Sequence, residues 1–105
     1  MEKIHFNPLD RLRGLLMISG IEFTNNGGSN IMGGYLDRVY YRNKKGELIC
    51  SAIYGEGSYG YEDDLIEIRG LLSDKEREYD DVLGWLSPEE VFFRIWEYDR
   101  YFNKS

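Results

Sequence analysis

The chain has 105 residues, 42% hydrophobic and 30% charged, which fits one folded domain around one core and excludes an intrinsically disordered chain. Its net charge of -6 at pH 7 is concentrated: residues 62–90 hold eleven acids against three bases, a local balance of -8, while the other 76 residues hold eight acids and ten bases. A stretch of that sign repels phosphate, so direct binding of DNA or RNA through it is not expected.

In chain order, Asn7-Pro8 marks a helix start, because the Asn side chain caps free N–H groups and Pro suits the first helical position. Leu9, Leu12, Leu16 and Ser19 then share a face, with Leu15 beside them, and Gly20 stands where a left-handed cap would close about three turns. Residues 21–24 are expected to form a short strand and the Asn/Gly/Ser-rich residues 25–34 a loop. Residues 35–42 and 48–54, rich in aromatic and β-branched side chains, predict a hairpin turning near Lys45-Gly46. Two strands alone are marginal, so residues 21–24 are expected to add a third.

Residues 61–72 fit two patterns. Leu65, Ile68 and Leu72 suit a helix whose first turn carries Glu62, Asp63 and Asp64, whereas Ile66 and Ile68 between polar neighbours suit a strand; the helix is preferred. Residues 74–81 read as a charged connection or short helical turn, and residues 82–86 as a brief apolar stretch interrupted by Gly84. Ser87-Pro88-Glu89-Glu90 is a capping box that opens the clearest helix. Its apolar face is Val91, Ile95, Tyr98 and Phe102 with Phe92 and Trp96 beside it, and Glu90 and Arg94 form an i, i+4 pair toward water. The fold class expected is α+β: an N-terminal helix, an antiparallel sheet of about three strands, and one or two C-terminal helices packed on it. Two Trp, five Phe and nine Tyr are expected to make up the bulk of the core.

Chemistry-bearing patterns are few. Gly55-Glu56-Gly57-Ser58-Tyr59-Gly60 matches the dinucleotide fingerprint, after a strand and before the preferred helix, but Glu56, Glu62, Asp63 and Asp64 crowd the place where pyrophosphate would sit. A plain strand-to-helix turn is the favoured reading. The glycines at 27–28 and 33–34 lack the Lys and Ser/Thr of a P-loop. Asp63, Asp64 and Glu67 would share a helical face and offer hard oxygen ligands to a cation, without EF-hand spacing. His5 sits near a frayed end and Cys50 mid-strand, where a buried inert thiol is usual. No catalytic residue, metal or cofactor is assigned, and an enzyme is not expected. With one cysteine, no signal-peptide pattern and no apolar run longer than residues 15–18, a bacterial cytoplasm is the expected compartment and no membrane contact is foreseen.

Interaction through the acidic stretch remains. Carboxylates on a scaffold imitate the charge of a phosphate backbone and fill basic grooves, while aromatic rings anchor interfaces. The candidate partner-binding residues are Glu62, Asp63, Asp64, Glu67, Asp74, Glu76, Glu78, Asp80 and Asp81, with Tyr59, Tyr61, Tyr79 and Trp85.

The run Tyr59-Gly60-Tyr61-Glu62-Asp63-Asp64-Leu65-Ile66-Glu67-Ile68-Arg69-Gly70-Leu71-Leu72, continued by Asp81-Val82-Leu83-Gly84-Trp85-Leu86-Ser87-Pro88-Glu89-Glu90-Val91-Phe92, resembles small uncharacterised proteins of phages and prophages of Gram-positive bacteria. No established activity attaches to that pattern. The acidity and the expected element order are also similar to a small anti-CRISPR protein, a likeness of architecture and charge that carries over no residue. It implies an inhibitor of a host nucleic-acid-handling protein, a CRISPR-Cas nuclease in its sharpest form. The alternative is a ligand- or metal-binding protein or enzyme using the turn at 55–60 and the carboxylates beside it.

Overall fold

The computed structural model describes residues 6–29 and 34–103. Helix α1 (Pro8–Ile18) is followed by the two-residue strands β1 (Thr24–Asn25) and β2 (Gly28–Ser29) and the long strands β3 (Tyr35–Arg42) and β4 (Leu48–Gly55). A single 3-10 turn (Tyr61–Asp63) leads to β5 (Ile66–Arg69), the one-turn helix α2 (Asp74–Arg77), β6 (Val82–Leu86) and helix α3 (Pro88–Phe102). All pairings are antiparallel, in the order β1-β3-β4-β5-β6, with β2 also paired to β3. The α+β class therefore holds, but the sheet has more strands than the three expected.

Local chemistry explains the helices. Asn7 accepts the Leu9 N–H through its side chain at 2.9 Å, and Ser87 and Glu90 close the reciprocal capping box of α3. Gly20 takes the left-handed φ of 71° just after α1. Leu9, Leu12 and Leu16 lie fully buried, each contributing about 2 kcal/mol of apolar transfer as an upper estimate. They meet Val91 and Ile95 of α3 on one sheet face, built by alternation from Val39 and Tyr41, Cys50 and Ala52, and Ile66 and Ile68.

Several expectations need correction. Residues 61–72 are not a helix: the Ile66-Glu67-Ile68-Arg69 alternation prevails, because pleating buries both isoleucines between β4 and β6. Left-handed backbone at Gly60, Asp64, Gly70 and Leu71 interrupts any helix across this span. Residues 82–86 are a paired strand, and the third strand expected at 21–24 is Thr24–Asn25 instead, with Ile21 packed into the core. The loop expected at 25–34 contains β2 and the end of β1; residues 30–33 lie outside the described residues. Finally, the core is mainly aliphatic. Tyr41 and Tyr54 are buried, their hydroxyls donating to Asp99 and Asp64, but Tyr59, Tyr79, Trp85, Phe93, Tyr101 and Phe102 are exposed. Phe102 thus leaves the apolar face of α3, and Arg94 turns toward Glu76 rather than pairing with Glu90 in water.

Candidate protein-binding edge

Strand β6 is an edge of the sheet, and a bulge shapes it. Ile66 pairs with Leu86 but Ile68 pairs with Leu83, so Gly84 and Trp85 together oppose the single residue Glu67. The turn at 55–60 folds onto this bulge. Ser58 Oγ donates to the Gly55 carbonyl at 2.8 Å and accepts the Gly55 N–H at 3.1 Å, and the Glu67 carboxylate accepts the Tyr59 N–H at 3.0 Å. Trp85 N–H donates to the Tyr59 carbonyl at 3.3 Å. Glycine is required on both sides of the contact: a side chain at Gly84 would run into Tyr59, and one at Gly60 (φ 100°) would press on the Trp85 backbone. Gly60, the last glycine of the run that resembles a nucleotide fingerprint, thus serves close backbone approach.

The outcome is a parallel stack of Tyr59 on Trp85, ring centres 5.5 Å apart and planes 13° from parallel. The two residues remain 47% and 56% exposed. Stacking of this kind stabilises by about 0.5–1.5 kcal/mol. Trp85 holds φ 57°, a left-handed conformation that costs a bulky residue about 1–2 kcal/mol. The stack and the Trp85 N–H bond to Tyr59 offset part of that cost, while the ring itself stays more than half exposed.

The nine acids divide. Asp64 accepts the Tyr54 hydroxyl at 2.6 Å; burial, reinforced by that hydrogen bond, pushes the phenol well above its usual range. Glu67 is buried under Tyr59. Glu76 closes the capping box of α2 with Ser73 and receives both Nη atoms of Arg94 at 2.8 and 2.7 Å. Its carboxyl is held down at about 2, chiefly by the Arg94 hydrogen bonds. Asp74 pairs with Arg77 of its own helix. Asp64, Glu67 and Glu76 therefore support the chain itself, while Asp74 stays exposed and is tied only to its helical neighbour. Glu62, Asp63, Glu78, Asp80 and Asp81 are exposed and form no ion pair among the described residues. Glu62 and Asp63 follow Gly60, which abuts Trp85, while Glu78, Asp80 and Asp81 lead into the opposite end of β6. Carboxylates thus stand at both ends of an edge about 13 Å long, with the aromatic stack near one end. Of the other aromatics named, Tyr61 leans half-buried on Tyr54, ring centres 5.0 Å apart, and Tyr79 projects beside Glu78 and Asp80.

The competing chemistries gain little from this geometry. A three-residue 3-10 turn, not a helix N-terminus, follows the glycine turn. Among the described residues no group of three or more His, Cys, Asp or Glu could hold a metal ion. Burial pushes the Cys50 thiol up to about 12, and His5 lies outside the described residues. What the sequence missed is the Gly60–Gly84 approach and the role of Arg94; the one available signal was Gly84 inside an apolar strand pattern, which marks a bulge. No helix among the described residues is long and apolar enough to cross a membrane. Comparison with protein-family models, with curated proteins and with solved structures finds no match to this chain.

Proposed function

We propose that the chain is a small acidic docking protein that binds a basic surface of a bacterial host protein through its β6 edge, and thereby inhibits a nucleic-acid-handling protein. In its sharpest form that partner is a CRISPR-Cas nuclease, with Glu62, Asp63, Glu78, Asp80 and Asp81 standing in for phosphates. The single observation that carries the reading is the exposed Tyr59–Trp85 stack, held outward by a strained backbone on a bulged edge flanked by unpaired carboxylates. Strained backbone of this kind clusters at functional positions. Flat aromatic anchors supply most of the affinity of such interfaces, and peripheral charges supply rate and salt dependence.

The test is affinity capture from bacterial lysate containing CRISPR effectors, comparing wild type with Trp85→Ala and with the pair Glu62→Gln and Asp63→Asn. Trp85→Ala is expected to weaken the captured complex by about 30-fold or more, the charge pair by less and mainly at low salt. Equal retention of the same proteins by all three forms would refute the reading.

A further inference from the structure

The helix layer that covers the sheet carries an apolar ridge on its outward side. Helices α1 and α3 lie side by side and run in the same direction: Arg11 pairs with Glu89 near their starts, and Ser19 and Trp96 line one cleft near their ends. Two turns on from the Arg11–Glu89 pair, Ile18 therefore stands level with Trp96. Ile18 is 87% exposed, Phe93 55% and Tyr101 68%, while Val91 and Ile95 on the opposite side of α3 are buried in the core.

The ridge is ordered by its own contacts. Phe93, Trp96 and Arg100 fall on one face of α3 at i, i+3 and i+7. The Phe93 and Trp96 rings stack with centres 6.0 Å apart and planes 30° from parallel. The Arg100 guanidinium lies back along the helix, 5.1 Å from the centre of the Trp96 ring and 5.9 Å from that of Tyr101. One turn before Ile18, Gly14 leaves a recess in α1, since a side chain there would meet nothing within 4 Å. From these exposures, Ile18, Phe93, Trp96 and Tyr101 together present on the order of 400 Å², which is within the range of the largest, commonly functional patches of single chains.

From this arrangement we infer that the ridge is the contact of a two-fold dimer, in which α3 packs antiparallel against α3 of a second copy. The charges of the face fit it to itself. Helix α3 has Glu89 and Glu90 in its first turn and Arg100 in its last, so antiparallel helices set opposite charges and opposite dipole ends together. Leaning back over Trp96, Arg100 brings its guanidinium level with residues 96–97, where Glu97 of the second copy stands when the axis passes beside Trp96. Glu97 and Arg100 are exposed and make no ion pair among the described residues. The area fits as well: two ridges bring together about 800 Å² of apolar surface, which with a polar rim reaches the roughly 1,200–1,600 Å² of a small specific interface. A two-fold contact closes on itself, so assembly stops at the dimer. The inference is independent of the β6 reading.

Sedimentation equilibrium between about 1 and about 300 μM tests it, on wild type, Phe93→Lys, Glu97→Arg, Arg100→Glu and an equimolar mixture of the last two. All three side chains are exposed, so each variant is expected to melt close to wild type. The expected result is a wild-type mass that rises reversibly from that of one chain toward that of two, and a dimer at least about tenfold weaker in Phe93→Lys. Each charge reversal alone sets like charges across the axis and should also weaken the dimer about tenfold. The mixture should dimerise as wild type does, because each reversal finds its complement in the other chain. Such mutual rescue distinguishes a contact between copies from a role inside one chain. A wild type that keeps the mass of one chain up to about 300 μM, a dimer indifferent to Phe93→Lys, or a mixture no more dimeric than its components would overturn the inference.

Discussion

Replacing Glu76 with Gln removes one charge and one of the two oxygens that Arg94 uses: if the remaining oxygen stays on the Ser73 N–H, the new amide group meets Arg94 Nη2 donor to donor. In the native chain Arg94 reaches from α3 to Glu76 and to the Leu71 carbonyl at 2.8 Å, fastening the α2 segment over the β5–β6 hairpin. The Arg94 hydrogen bonds lower the Glu76 carboxyl from 4.5 to about 2. A depressed folded-state value means stability fully present above about 4.5 and lost as pH falls from there toward 2. Converted in full, that range is about 3 kcal/mol. Both side chains are a quarter exposed, and screening reduces the contribution to about 1–2 kcal/mol. Urea unfolding at pH 7 should therefore show Glu76→Gln less stable by that amount with an unchanged m-value. By pH 2 the two proteins should have converged. A difference that persists undiminished at pH 2, or no difference at pH 7, would refute the assigned role. Because Glu76 is an internal acid, the variant should also keep partner binding.

Three further outcomes follow from named contacts. Cys50, buried and with its thiol raised to about 12, should resist iodoacetamide at pH 8 until the chain opens, at a rate set by unfolding; labelling as fast as a free cysteine would contradict its burial. Gly70→Ala should destabilise by about 2 kcal/mol or more in denaturant titration, since φ is 87° and the new methyl would strike the Ile49 carbonyl. Ser87→Ala removes the acceptor of the Glu90 N–H at 3.1 Å and should lower stability by about 1 kcal/mol, read as a fall in Tm.

What was legible in the sequence was local. Asn7-Pro8, the Ser87 box and the paired β-rich runs carry their instructions within a few residues, and α1, α3 and the β3–β4 hairpin formed accordingly. Residues 61–72 were decided by tertiary pairing: Ile68 meets Ala52 on one side and Leu83 on the other, contacts that no local period encodes. The candidate edge was half legible. Tyr59, Trp85 and the acids stood out by type, but their stacking joins positions 26 apart in sequence through two facing glycines. The fates of Asp64, Glu67 and Glu76 rested on Tyr54, the Tyr59 amide and Arg94, all distant or hidden partners. Aromatic side chains were assigned to the core by size alone, whereas aliphatic residues fill the narrow space between two helices and the sheet.

The central claim is that the β6 edge is the contact surface. Hydrogen–deuterium exchange on the chain bound to its captured basic partner tests it most directly. Slowed exchange confined to residues 59–63 and 78–86 is the predicted result. Protection on β3 or on α3, with residues 59–63 and 78–86 unchanged, would contradict it.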